Sequence, residues 1–178
     1  QKGIYSIEKF IVARRLMYWQ VYLHKTVLSA EYMLIQTLKR AKELAQNGED
    51  LFATPSLKKF LYQSFSREEF LSDETILNDF SELDDSDLLA SFKVWVNHED
   101  VILARLCRGL LNRDLFKIEM GNEPIKESRI KELEVQIQTH FNVSKDLTNH
   151  FLLVDSETNN AYNLEKDNIT ILFKNGDT

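Results

Sequence analysis

Two cationic side chains stand within an apolar stripe near the start of the chain. Arg14 and Lys25 are spaced with Tyr18 and Tyr22 so that, at about 100° per residue, all four fall on one helical face. Burial of a cation is costly unless an anion accompanies it. A phosphate group would supply that anion, because Arg14 offers a planar fork and Lys25 a compact point charge. The spacing therefore suggests a phosphorylated ligand, with Tyr22 stacking on, or hydrogen-bonding to, its sugar or base.

The same residues also fit a purely structural arrangement. Both cationic stems would then lie along apolar surface with their charged heads in water, or pair with carboxylates of the chain. His24 adjoins Lys25 and points about 100° away from it, so the two cannot hold one group together. They could instead serve neighbouring pockets or a contact between subunits.

The chain shows no pattern typical of a catalytic metal site. It contains no His-Asp dipeptide, and its four histidines are far apart in sequence. His98, Glu99 and Asp100 are better explained as a helix start with acidic residues in the first turn. We therefore predict no metal site in these residues. Cys107, the single cysteine, lies in an apolar helical stretch and is predicted to be a buried, unreactive thiol.

Composition excludes several classes of protein. A formal net charge of -6 argues against general nucleic-acid binding, and 43% hydrophobic with 28% charged residues is ordinary for a soluble domain. No apolar run approaches the roughly 20 residues that span a membrane. A single cysteine favours a reducing compartment, so we expect a cytoplasmic protein. The acidic segment between Arg67 and Asp87 is expected to be a solvated face, or else to pair with a basic surface of another subunit.

The predicted fold class is mainly α, a helical body with one very long helix plus a small C-terminal α+β subdomain. The very long helix covers residues 4–46, which lack Gly and Pro, and it is apolar on two faces that both need covering. Further helices and three strands follow from periodicity and capping signals. The helices are predicted at residues 55–64, 67–71, 73–81, 86–97, 99–111 and 126–141, and the strands at residues 113–120, 150–155 and 168–174.

A composition change at Gly121-Asn122-Glu123-Pro124 predicts a boundary between residues 1–120 and residues 121–178. The chain enters a helical pattern almost at once. It also stops just after Asn175-Gly176, a strong hairpin-turn signal whose returning strand would follow. We therefore expect the sequence to be a piece of a longer protein.

Two motifs carry a resemblance to a known family. Residues 13–25, Ala-Arg-Arg-Leu-Met-Tyr-Trp-Gln-Val-Tyr-Leu-His-Lys, resemble the segment that follows the catalytic half of HD-domain deoxynucleoside triphosphate (dNTP) triphosphohydrolases, an arginine with Tyr-x-His-Lys eight residues on. Residues 113–117, Arg-Asp-Leu-Phe-Lys, are similar to the Arg-x-Leu-Phe-Lys segment of that family. Ala161-Tyr162 and the strand at residues 168–174 look like the C-terminal α+β region of bacterial members.

The resemblance implies a helical enzyme in which paired His, His-Asp and Asp residues hold a divalent metal. The metal-activated water hydrolyses a dNTP to a deoxynucleoside and triphosphate. The metal-binding half would precede Gln1, so this chain alone is expected to bind no cofactor and to be inactive. By the same resemblance, Arg14 would contact the substrate phosphate and Tyr22 the sugar and base. Tyr18, which stands where animal relatives have a histidine, would also contact the substrate.

The resemblance also implies a nucleoside triphosphate ligand and a homo-oligomer. His24, Lys25, Arg113 and Lys117 match basic positions that animal relatives use to bind regulatory nucleotides between subunits. Two other functions fit the residues. One is a non-enzymatic helical module that docks a partner through its doubly apolar helix. The other is a sensor that binds a nucleotide without cleaving it.

Overall fold

The computed structural model describes residues 2–156. The chain forms two compact units. One comprises Gln1–Leu28 with Asp155–Thr178, and the other is Ser29–Val154. Each unit is described by itself. The predicted mainly α fold is confirmed for the described residues, whereas the predicted strand at residues 168–174 lies outside them.

The predicted single helix at residues 4–46 is wrong, because the structure divides it in two. Helix α1 spans Lys2–Met17 and continues into a π-helical segment, Tyr18–Tyr22, and helix α2 spans Lys25–Gln46. The widened turn lets the Leu23 N–H donate to the Tyr18 carbonyl at 2.8 Å, which closes the π-helix. His24 then caps α2, because its Nδ1 accepts the Thr26 N–H at 3.2 Å. A side-chain cap replaces the Gly or Pro that usually marks such a break.

The other predicted helices are confirmed to within a few residues. They are α3 (Pro55–Tyr62), α4 (Arg67–Ser72), α5 (Glu74–Ser81), α6 (Asp85–Trp95), α7 (Val101–Asn112) and α8 (Glu127–Phe141), followed by a short 3-10 helix, Lys145–His150. Local capping explains this success. Ser66 and Glu69 form a reciprocal capping box at the start of α4, and Asp84 and Asp87 form another at α6.

The predicted strands at residues 113–120 and 150–155 are wrong, because neither stretch is a strand in the structure. Arg113 ends α7 in the left-handed region at φ 57°. Side chains of α2 then form hydrogen bonds with the backbone N–H and carbonyl of Phe116. The Ser29 hydroxyl donates to the Phe116 carbonyl at 2.8 Å, and the Phe116 N–H donates to the Met33 sulfur at 3.4 Å. These groups are therefore not available for a β-ladder.

The Ser29–Val154 unit continues through the predicted domain boundary at residues 121–124. The small α+β subdomain at residues 121–178 stays a prediction, because most of its tail lies outside the described residues. Within residues 121–156 the structure shows α8 and the 3-10 helix. None of the described helices is both long enough and apolar enough to cross a membrane.

The core of the Ser29–Val154 unit is built mainly from α2, α6 and α7. Met33, Leu103, Leu106 and Cys107 are fully buried, and Trp95 is 1% exposed. The Trp95 indole N–H donates to the Phe52 carbonyl at 2.9 Å, so its polar atom is satisfied inside the core. The predicted burial of Cys107 is confirmed. Burial raises the pKa of its thiol to about 12, which disfavours the reactive thiolate.

A polar network joins α2 to the end of the 3-10 helix and to the start of α7. The Arg40 guanidinium donates to both oxygens of Asp100, at 2.6 and 3.2 Å, and to Glu43 at 3.0 Å. His150 is 3% exposed, and its Nε2 lies 3.2 Å from a Glu43 oxygen. Its Nδ1 meets no hydrogen-bond partner among the described residues. Protonation of this ring would therefore bury an unsatisfied N–H.

We expect the stability of this unit to fall as the pH drops below about 6.5. Burial lowers the pKa of His150 below its ordinary value of 6.5, so the unfolded chain binds a proton that the folded chain resists. The loss begins near 6.5 and continues until the pH reaches the lowered folded pKa. His150→Gln should flatten the dependence of melting temperature on pH between about 7 and 5. An unchanged slope in this variant would contradict the assignment.

Candidate functional site

An open groove on the first unit contains the arginine and the two tyrosines singled out in the sequence. It has a volume of about 440 Å³, and α1 and the π-helical segment supply its walls. The lining residues are Phe10, Ala13, Arg14, Met17, Tyr18 and Tyr22. One cation therefore stands in a groove that is otherwise aromatic and apolar. Such grooves suit ligands that combine a ring system with an anionic group.

The π-helical segment sets the contacts within the groove. Tyr18 and Tyr22 bring their ring centroids to 4.9 Å with an interplanar angle of 52°. The Arg14 guanidinium carbon lies 5.7 Å from the Tyr18 ring centroid, within the range of a cation–π contact. Arg14, Tyr18 and Tyr22 thus form a continuous series of contacts, and π-helical segments are frequent at functional sites.

The sequence argument from buried cations is wrong for this structure. Arg14 and Lys25 are both exposed, Tyr22 is 51% exposed, and Tyr18 is half-buried. Lys25 also does not line the groove, because the break at residues 23–24 interrupts the helical phase that would have placed it there. What supports a ligand site is therefore the groove and its aromatic contacts, and not the cost of burying charge.

Sequence reasoning missed the part that Phe10, Ala13 and Met17 take in the groove. Phe10 and Met17 share the apolar face that holds Tyr18, and this face was interpreted as a packing surface. Phe10 is 63% exposed and Met17 is 43% exposed. Their periodicity was the available signal, but the pattern does not distinguish a packed face from an open one.

The four basic residues predicted at regulatory positions lie in two different units. His24 is exposed between the π-helical segment and α2, and its ring caps α2. Lys25 is exposed at the first position of α2. In the Ser29–Val154 unit, Leu115 and Phe116 pack against the core while Arg113 and Lys117 are exposed. Lys117 keeps 85% of its side chain exposed and lies 3.7 Å from Glu119.

No group of three or more His, Cys, Asp or Glu side chains among residues 2–156 could hold a metal ion. His98 instead accepts the Asp100 N–H through Nδ1 at 3.0 Å, and Asp100 caps α7 by accepting the Leu103 N–H at 2.8 Å. The predicted helix start is confirmed, but Asp100 caps α7 and the acidic residues precede its first turn instead of lying in it.

Comparison with known proteins extends these observations. No family model matches the sequence. A solved structure of a phosphohydrolase from Bacteroides thetaiotaomicron VPI-5482 is 48% identical, with a TM-score of 0.88 over 98% of this chain. The chain is similar to part of a phosphohydrolase. The uncharacterized protein YwfO of Bacillus subtilis (strain 168) is 33% identical over 162 residues, or 91% of this chain.

Both relatives are much longer than the region they share with this chain. The chain spans 43% of the phosphohydrolase and 34% of YwfO. The similarity to the phosphohydrolase covers nearly the whole of this chain but less than half of that protein.

Proposed function

We propose that this chain is part of a metal-dependent phosphohydrolase that hydrolyses a dNTP to a deoxynucleoside and triphosphate. The observation that carries the proposal is the groove in which Arg14 contacts Tyr18, which in turn contacts Tyr22. The similarity to a phosphohydrolase over 98% of the chain supports the hydrolytic part of the proposal. The sequence motif around Arg14 supports the nucleotide part.

Each groove residue has a distinct role in this proposal. Arg14 binds a phosphate oxygen pair through its guanidinium fork, since planar bidentate recognition is its strongest mode. Tyr22 contacts the sugar and base, and its exposed ring can stack or donate a hydrogen bond. Tyr18 lies between them and orients the guanidinium through the cation–π contact. Residues outside this chain would hold the divalent metal, which would supply the activated water when bound.

We also infer a role for the four exposed basic residues. His24, Lys25, Arg113 and Lys117 would bind a regulatory nucleotide at contacts between copies of the protein. Their exposure supports this role, because a phosphate can reach each of them. Lys117 in particular has little competition from its single neighbouring carboxylate at 3.7 Å, since exposed pairs of this kind are weak.

A non-enzymatic interaction module is the second candidate. It is favoured by the exposed apolar residues of α1, among them Tyr5 at 64% and Val12 at 57%. Exposed apolar surface of this kind marks sites of protein contact. The two functions can also coexist, because the groove occupies only one side of α1.

Product analysis on the longer protein tests the proposal. The protein is incubated with Mg²⁺ or Mn²⁺ and each dNTP in turn, and products are separated by chromatography and identified by ³¹P NMR. Stoichiometric deoxynucleoside and triphosphate are the expected products. Nucleotide binding without any product would favour a sensor. If the protein neither binds a nucleotide nor forms product, the interaction module becomes the better explanation.

A further inference from the structure

Cations and carboxylates are mixed in the segment that follows α7. Residues 113–119, called the 113–119 segment, have no regular secondary structure and carry four exposed charged side chains. Asp114 comes one residue after the cation Arg113, and Glu119 comes two residues after the cation Lys117. A phosphate that approaches either cation therefore also meets a carboxylate, and their like charges repel. These carboxylates would weaken phosphate binding unless other groups balance their charge.

Each of the two carboxylates is bound by an arginine of a helix. Arg105 of α7 donates to an Asp114 oxygen at 2.7 Å. Arg129 of α8 donates to both oxygens of Glu119, at 2.9 and 3.4 Å, which is the bidentate geometry of a strong pair. This guanidinium holds the pKa of Glu119 below its ordinary value. Glu119 lies farther from Lys117, at 3.7 Å, so it is directed towards Arg129.

Close packing fixes the backbone that carries the two cations. The Asp114 N–H donates to the Gly109 carbonyl at 2.8 Å, which completes the turn at the end of α7. Only glycine fits at position 109, because a Cβ there would lie 2.5 Å from Met33 Cε and 2.9 Å from the Asp114 carbonyl oxygen. Phe116 is hydrogen-bonded to Ser29 and Met33. Since the backbone is held by these contacts, replacing either arginine should change the local charge more than the path of the chain.

We propose that Arg105 and Arg129 are positioning residues for phosphate binding by the 113–119 segment. Each arginine holds a carboxylate and so reduces its repulsion of a phosphate at the nearby cation. The side chains of Arg105 and Arg129 are only 28% and 37% exposed, whereas that of Lys117 is 85% exposed, so the lysine is the group that a ligand reaches. The inference rests on the regulatory role proposed above for Arg113 and Lys117, and it adds two residues that neither sequence motif contains.

Titration of the 178-residue chain with inorganic tripolyphosphate, followed by ¹⁵N–¹H NMR, tests the proposal. At about 50 mM NaCl, the amide signals of Arg113 and Lys117 should shift and reach saturation in the wild type. Arg129→Gln should raise the dissociation constant measured at Lys117 by about threefold to tenfold. Arg129→Gln/Glu119→Gln should return it to within about twofold of the wild type, because the carboxylate that the arginine held is also gone.

Arg129→Gln/Glu74→Gln is the matched control. It has the same net charge as the rescued variant, but Glu74 is an exposed residue of α5 outside the segment, so binding at Lys117 should stay weak. The amide spectra themselves show whether each variant remains folded.

The second ion pair provides an independent repeat of the test. Arg105→Gln should weaken binding measured at Arg113 by a similar factor, and Arg105→Gln/Asp114→Asn should restore it. If the two single variants bound as tightly as the wild type, the proposal would be overturned. Failure of both double variants to restore binding would also overturn it, since the arginines would then act by touching the phosphate or by holding the fold. Equal rescue by the Glu74 control would replace it with a simple effect of net charge.

The same spectra separate failure of this inference from failure of the proposed function. If the wild-type amides of Arg113 and Lys117 do not shift, the regulatory role is wrong and the inference fails with it. If they shift but the arginine variants behave like the wild type, the inference alone fails. Signals of Tyr18 and Tyr22 report separately on the groove.

Discussion

Replacing Arg14 with alanine in the longer protein should lower kcat/KM for nucleotide hydrolysis by about 100-fold or more. The guanidinium is the one cation lining the groove, and a charge-assisted contact to phosphate contributes about 3 kcal/mol, which corresponds to that factor. The chain itself should fold normally, because Arg14 is exposed. Steady-state kinetics and a melting curve measured on the same preparation check both parts.

Two variants make the Arg14 result specific. Arg15→Ala removes the neighbouring exposed guanidinium, which does not line the groove, and should leave kcat/KM within about threefold of wild type. Arg14→Lys keeps the charge but loses the planar fork and should fall between wild type and Arg14→Ala. If Arg14→Ala and Arg15→Ala lowered kcat/KM equally, general electrostatics would explain the effect and the assigned contact would be wrong.

Replacing Trp95 with alanine should destabilise the Ser29–Val154 unit by about 3 to 5 kcal/mol. The indole is 1% exposed and packs against Phe92 with ring centroids 5.8 Å apart. Its removal leaves a cavity and takes away the hydrogen bond to the Phe52 carbonyl. Urea unfolding of the 178-residue chain, extrapolated to water, measures the change in the free energy of unfolding.

Trp19→Ala provides the matched control for Trp95. Trp19 lies in the π-helical segment, is 54% exposed and does not line the groove. Its replacement should change the free energy of unfolding by less than about 1 kcal/mol. If the two tryptophan variants lost similar amounts of unfolding free energy, the packing of Trp95 in this core would not explain its effect.

The boundaries of most helices could be predicted from the sequence because their capping interactions are local. Ser66 and Glu69 are three residues apart, as are Asp84 and Asp87, and each pair satisfies backbone groups within a single turn. Pro55 marks the start of α3 for an equally local reason, since its ring fits the first turn. None of these interactions depends on the rest of the fold.

The incorrect predictions of secondary structure have causes that lie far away in the sequence or in unusual local geometry. The predicted strand at residues 113–120 lost its backbone partners to Ser29 and Met33, more than 80 residues earlier. The predicted helix at residues 4–46 was broken by a π-helical segment and by a histidine cap, and neither has a recognised sequence signature of its own. Periodicity alone could not reveal the distant hydrogen-bond partners of Phe116 or the break in the helix.

For the candidate site, the sequence by itself determined that Arg14, Tyr18 and Tyr22 share a helical face, because four-residue spacing is a local property of helices. Tertiary structure decided that Lys25 lies outside the groove and that the cations are exposed. An amphipathic pattern specifies which side of a helix is apolar, but its cover comes from other parts of the fold or from other chains. That is why the apolar side chains of α1 could be predicted, while the groove that some of them line emerged only with the structure.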